Sequence, residues 1–392
     1  MTIALRKVRE IRHFDLQSVA DYAGIAFSRL EEFESGTRAP SPRQLERLAE
    51  TYGLASYLLD ADLTPNLPET VADFRRKHPR PAHLSPAGMA RLWSAEEVSE
   101  STAQLLNPLE IGRPVWSNDC PRGKLDVRLA SNTRAFFNEW KRSRLAKLEL
   151  TGTDEQRFLA SFRLFVEAQG TIVRINDAPP NDYYGFFLAP EAGLPTVFIN
   201  RKILAPKAQL FTLLHEYCHM LLGQAGVSNP FVVKNEIERQ CNKFAAEFLA
   251  PEREFSELAG AQPKTVRADL FRFIATVSSQ SLLSMHATAI RLLETNFISQ
   301  AQLNTWESHR KTLPIKQLKD EEKDLESQDQ KGGAVHAKIL GEIGYLPVYV
   351  AKLAVDRKFI DSADVHAGFH LTESLQEKAF SLAARRFEVA FG

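Results

Sequence analysis

The spacing of apolar positions changes along the chain, and each spacing predicts a different kind of element. Over residues 4–60, apolar residues recur every three or four positions, at Leu5, Val8 and Ile11 and again at Leu16, Val19, Ala20 and Ala23, which predicts short amphipathic helices. The punctuation fits: Asp15 suits an N-cap, Gly24 a tight turn and Gly36 a helix stop, and Pro40 and Pro42 open a helix carrying Leu45, Leu48 and Ala49. Five short helices are expected, two of them joined by a glycine turn in the manner of a helix-turn-helix. Residues 61–85 break the pattern with Pro65, Pro68, Pro79 and Pro81 and read as a connector.

From 86 to 170 the helical period returns, as in TRAFFNEWKRSRLAKLEL and EQRFLASFRLFVEAQG, with Lys and Arg opposite an apolar side; these read as scaffold helices. The runs TIVRIN, DYYGFFLA and PTVFIN are β-branched or aromatic and punctuated by Gly and Pro, which predicts a small sheet. Helices resume at Lys207. The stretch Lys316–Lys331 is dense in both charge signs and predicts a solvated helix or hinge, after which periodicity returns from His336 to Gly392. The expected fold is therefore mainly α with a small β-sheet, an α+β class. Its expected divisions are a helix-turn-helix domain (1–60), a connector (61–85), a core with scaffold helices (86–311), a charged linker (312–335) and a helical C-terminal sensor or docking region (336–392).

Composition narrows the function classes. The chain has 392 residues, 44% of them hydrophobic and 25% charged, which excludes collagen-like and wholly disordered chains. Lys plus Arg (49) equals Asp plus Glu (49), so any polyanion binding must come from a local patch. Three cysteines are too few for a disulfide framework and favour a reducing, cytoplasmic setting. No apolar stretch approaches the ~18 residues needed to span a bilayer, and no export segment is visible, so no membrane partner is expected.

The chemistry is concentrated in AQLFTLLHEYCHMLLG. His215 and His219 are four apart and so lie about 40° apart around a helix, side by side, as two nitrogen ligands of one metal require. Glu216 flanks them, where a carboxylate can accept the proton of an activated water and return it to a leaving amine. The flanking Leu213, Leu214, Met220, Leu221 and Leu222 make this helix buried, and burying two histidines and a glutamate without a partner would cost several kcal/mol, a cost a metal removes.

A catalytic zinc needs a third protein ligand and one open position. In NEIERQCNKFAAEFLAPERE, Glu238 borders the buried stripe and shares a face with Asn242, whose amide can hydrogen-bond a ligand histidine from behind. Glu236 and Glu247 are rotated away and fit less well. Cys218 and Cys241 read as small core residues, whereas Cys120 falls on a loop from which its thiolate could occupy the open position. Tyr183, Tyr184, His366 and His370 are candidate oxyanion donors, each with a stronger structural reading. The strand 195–200 could take up an extended peptide by edge pairing.

Two family resemblances rest on these residues. The run LQSVADYAGIAFSRLEEFESGTRAPSPRQLERLAETYG resembles the repressor-type, XRE-like helix-turn-helix family. The stretch GFFLAPEAGLPTVFINRKILAPKAQLFTLLHEYCHMLLG, followed by EIERQCNKFAAEFLAPE, resembles the ImmA/IrrE family of zinc metallopeptidases, and FIATVSSQSLLSMHATAIRLLE is similar to helices that follow in that family. The resemblance implies a gluzincin-like Zn2+ site with His215, His219 and Glu238 as ligands and Glu216 as base. It also implies a protein substrate, a repressor-type transcription factor or antitoxin cut to release a stress, mobile-element or defence response.

Double-stranded DNA is a second expected partner, through Phe27, Ser28 and Arg29 on the recognition helix. Residues 1–60 carry 8 basic and 9 acidic groups, however, and Leu16 stands where the family often has glutamine, so docking to another helix-turn-helix protein is a rival use. The competing reading of the whole chain is a DNA-binding regulator whose peptidase-like domain senses a ligand or partner without cutting.

Overall fold

The local signals of the N-terminal stretch are used as the sequence suggests. In the computed structural model, which describes residues 2–60, 72–73, 83–112, 127–146, 148–202, 205–228, 235–312 and 335–391, helices α1 (Thr2–Ile11), α2 (Leu16–Ala23), α3 (Phe27–Ser35), α4 (Pro42–Tyr52) and α5 (Ser56–Asp60) follow one another. Asp15 caps α2 by accepting from the Ser18 N–H at 2.8 Å, and Ser41 and Gln44 form a reciprocal capping box on α4. Gly24 and Gly36 end α2 and α3 with φ of 63° and 80°, the left-handed region where a side chain would be strained. Leu5, Val8, Val19, Leu30, Phe33, Leu48 and Tyr52 form the buried centre of this bundle.

Among the described residues, β1 (Ala72–Asp73), β2 (Ile172–Asn176), β3 (Gly185–Leu188), β4 (Thr196–Asn200) and β5 (Gly226–Ser228) form one mixed sheet in the order β1-β5-β3-β4-β2. Strands β2 and β4 are parallel, as are β1 and β5, while β3 runs antiparallel to both its neighbours. The expectation that the strand 195–200 offers an edge to a peptide is therefore wrong: β4 lies inside the sheet, hydrogen-bonded to β3 on one side and β2 on the other. Its terminal Asn200 is a staple. Its Nδ2 donates to the carbonyls of Ala178 (3.0 Å) and Tyr183 (3.1 Å), and its Oδ1 accepts from the N–H groups of Ala178 (3.2 Å) and Lys202 (3.0 Å).

Alternate strand residues serve two different cores, the period-two consequence of the pleat. Val173, Phe187, Val197 and Ile199 face a cluster built with α8 (Asp154–Ala168), α9 (Pro206–Leu222) and α10 (Glu236–Leu249). Phe186, Leu188, Phe198 and Val227 face the other way, into a cluster shared with α6 (Pro86–Leu106) and the five N-terminal helices. The rings of the cross-strand pair Phe186 and Phe198 stack there at 4.6 Å. The N-terminal bundle is thus docked rather than tethered. Arg12 donates to the Tyr52 carbonyl and lies over the Trp93 ring, and Trp93 approaches Gly53 so closely that a Cβ there would sit 2.7 Å from it.

The helix α7 (Val127–Arg144) packs beside α8 and α10. Beyond them α11 (Glu252–Gly260), α12 (Lys264–Arg267), α13 (Leu270–Ser279), α14 (Met285–Glu294) and α15 (Gln300–Thr312) complete the α9 side. The C-terminal helices α16 (Val335–Ile343), α17 (Tyr345–Asp356), α18 (Ser362–Phe369) and α19 (Glu373–Phe391) share a third buried cluster with Val98, Leu164, Ile172 and Leu194. A polar knot fastens them. Buried Arg163 donates to Glu167 (2.9 Å), to the Val173 carbonyl (2.9 Å) and to the Leu340 carbonyl, and Glu167 accepts from the Leu346 N–H at 2.6 Å. The charged stretch Lys316–Lys331 lies outside the described residues, as do most of the connector and Cys120.

Candidate metal centre

Helix α9 begins with Pro206 at its first turn and ends at Gly223, whose left-handed N–H reaches the carbonyls of His219 and Met220. Leu210, Leu213, Leu214, Tyr217 and Leu221 sink it into the core, and the four-residue spacing brings His215 and His219 to one side. Helix α10 crosses it there. Asn235 caps α10 by accepting from the Glu238 N–H at 2.9 Å, which fixes Glu238 in the first turn, facing the histidines.

The three side chains converge. His215 Nε2 lies 3.1 Å from His219 Nε2, and the Glu238 oxygens lie 3.4 Å from the first and 3.3 Å from the second. Asn242 Oδ1 sits 2.8 Å from His215 Nδ1. An amide oxygen only accepts, so Nδ1 carries the proton and Nε2 turns its lone pair toward the other two groups. His215, Glu216, His219 and Glu238 are at most 1% exposed, and both Glu238 oxygens are buried without a hydrogen-bond donor. Buried polar atoms left in this way are costly, and a cation among them removes the cost. The donor set of two imidazoles and one carboxylate, with nitrogens and oxygens meeting at one place, fits a zinc ion.

Electrostatics point the same way. Burial pulls the His215 imidazole down, but Glu238, Glu216 and Asn242 outweigh it and raise it overall. Burial likewise opposes His219, and the Cys241 thiol and Glu238 hold it up at about 9. Glu238 stays below its usual range despite burial because the two imidazoles favour its charge. The cluster is built to hold positive charge.

Glu216 lies on the side facing the sheet. Ser228 Oγ donates to its Oε1, while its Oε2 is buried without a partner, and burial raises its carboxyl above the usual range. Gly185 on β3 leaves the space for it: a Cβ there would sit 2.5 Å from Oε1. Ser228 and Gly185 are paired across β5 and β3. Both escaped the sequence reading, which had no signal for β5.

Cys241 is the small core residue the sequence suggests, and it has a second aspect. It does lie on the buried stripe of α10, yet its sulfur comes together with His215 and His219, the three ligand atoms within 4.8 Å of one another. Burial and the adjacent Cys218 thiol push the Cys241 thiol up. Its spacing three residues after Glu238 was the available signal.

The remaining candidates fall elsewhere. Glu236 is exposed and pairs with Arg239 at 2.8 Å, and Glu247 forms an ion pair with Arg291. The Tyr183 hydroxyl donates to the Gly88 carbonyl at 2.8 Å on the opposite face of the sheet, and His370 lies 3.0 Å from Glu97. His366 lies on α18, on the C-terminal side. On α3, Phe27 and Ser28 are exposed, and Arg29 lies 3.4 Å from Glu32; Arg38, beyond the end of α3, lies 3.6 Å from the same carboxylate, which offsets part of their charge.

The fold and the site define a helix-turn-helix protein joined to a metallopeptidase-type domain. Comparison with known families agrees: residues 5–58 match the helix-turn-helix family, and residues 166–292 match the IrrE N-terminal-like domain of peptidase M78. No curated protein and no solved structure matches the chain. The protein thus carries the two modules that the sequence resemblance implied, in the same order. Together they support a DNA-binding regulator with an IrrE/ImmA-type domain. Among the described residues no helix is long and apolar enough to cross a membrane.

Proposed function

We propose that the protein is a cytoplasmic, zinc-dependent endopeptidase that cuts a repressor-type helix-turn-helix protein or antitoxin and so relieves repression. The observation that carries this reading is the convergence of His215, His219 and Glu238 beside a buried Glu216 whose second oxygen has no partner. His215, His219 and Glu238 would hold the ion, with Asn242 orienting His215. Zinc in such a site supplies Lewis acidity that polarises a peptide carbonyl and makes water a nucleophile near neutral pH. Glu216 accepts the proton of the attacking water on its free oxygen and returns it to the leaving amine, while Ser228 keeps the carboxylate oriented. Phe27, Ser28 and Arg29 are the residues proposed to meet double-stranded DNA, the N-terminal module keeping the enzyme at the promoter its substrate controls.

The test is incubation of the full chain with the helix-turn-helix proteins encoded beside it, with and without chelator. A single cut, lost with chelator and in Glu216→Gln, is the expected result; a cut that survives in Glu216→Gln contradicts it. A second reading, a regulator whose peptidase-like domain only senses, is favoured by the nearness of Cys241 to the histidines, because four protein donors would close the site.

A further inference from the structure

We propose that Cys241 is a fourth protein donor to the same ion, so that in the resting chain the site is closed by His215, His219, Glu238 and Cys241 until an incoming substrate carbonyl displaces the thiolate. The inference rests on the reading of His215, His219 and Glu238 as ligands and concerns how that site is regulated.

Three observations carry it. The Cys241 sulfur and one ring nitrogen of each histidine lie within 4.8 Å of one another, close enough for side-chain rotations to bring them around one ion. Cys241 follows Glu238 by three residues on α10, so the helix turns both toward α9. All four side chains are buried, and the two Glu238 oxygens lack donors, so the positive charge that satisfies them is enclosed by protein.

The chemistry is that of closed zinc sites, in which four nitrogen, oxygen or sulfur donors surround the ion and leave no place for solvent. Coordination breaks the S–H bond, leaves the electron pair on sulfur and releases the proton to buffer. Cys218, adjacent to Cys241, is on α9 between Glu216 and His219. It is the natural control.

The full chain is loaded with cobalt in place of zinc, and its absorption is recorded with and without azide, an anion that enters only an open coordination position. The wild type and Cys218→Ser are expected to show a thiolate-to-cobalt charge-transfer band and no response to azide. Cys241→Ser is expected to bind cobalt, lose the band and respond to azide. If Cys241→Ser fails to fold, a Cys120→Ser/Cys218→Ser variant that keeps the band still assigns it to Cys241. Stoichiometric cobalt in the wild type without the band, or an azide-sensitive wild-type spectrum, overturns the proposal and leaves the three-ligand reading standing. No cobalt bound at all overturns both.

Discussion

The base proposed here, Glu216, lies in a space that its neighbours leave for it. Gly185 supplies that space and Ser228 the orientation. Gly185→Ala is therefore expected to push the carboxylate aside and lower cleavage by roughly tenfold or more with metal content unchanged, since positional errors of an ångström can cost about 10²-fold; zinc analysis beside a cleavage assay checks it. Asn242→Ala should weaken zinc binding by about 10–100-fold, read by competition with a chromophoric chelator, because His215 loses the acceptor that fixes its proton. The histidine pair and the two α10 residues facing it could be read from the sequence, because the spacing within one helix sets which side chains lie together. Ser228 and Gly185 could not. Their meeting with Glu216 depends on β5 pairing with β3, a long-range contact between short strands that no local pattern announces.

At the scale of elements, the most informative departure is β4. Its apolar run reads equally well as an edge or an interior strand, and burial on both faces with partners on both sides decides for the interior. The caps, by contrast, were legible as single residues: Asp15 and Gly24 act where their chemistry suggests. The corner between α16 and α17 depends on Glu167, whose carboxyl is pushed up to about 7 by complete burial against the pull of Arg163 and the Leu346 N–H. A group whose folded pKa exceeds its unfolded value adds stability that is fully present below the unfolded pKa and is lost as pH rises through the folded one. The melting temperature is thus expected to fall between about pH 4.5 and 7 through this group, and Glu167→Gln should flatten that part of the profile. An unchanged slope in thermal melts of the variant would remove Glu167 from this role.

For the whole molecule, the N-terminal helices and α9 lie on opposite faces of one sheet. The sequence suggested a bundle joined through a connector. It could not show that Trp93 of α6 fits against Gly53 and Arg12, since a lone aromatic on a scaffold helix does not reveal its partner. Trp93→Ala should cost about 1–3 kcal/mol in thermal or urea unfolding, and removal of residues 1–60 should lower the melting temperature of the remainder by uncovering Leu84, Met89 and Leu92. Docking through α2 and α4 leaves the Phe27–Ser28 end of α3 exposed. If that end meets DNA, Arg29→Ala should reduce the salt dependence of promoter binding by about one unit of log–log slope.

In the proposed centre two imidazoles and one carboxylate, drawn from neighbouring helices, hold a single divalent ion beside Glu216. Equilibrium dialysis of the full chain against zinc, with metal quantified per chain, tests it most directly in the wild type, Glu216→Gln and Glu238→Ala. About one zinc per chain is expected in the first two and a large loss of affinity in Glu238→Ala. Undiminished zinc in Glu238→Ala, or none in the wild type, would contradict it.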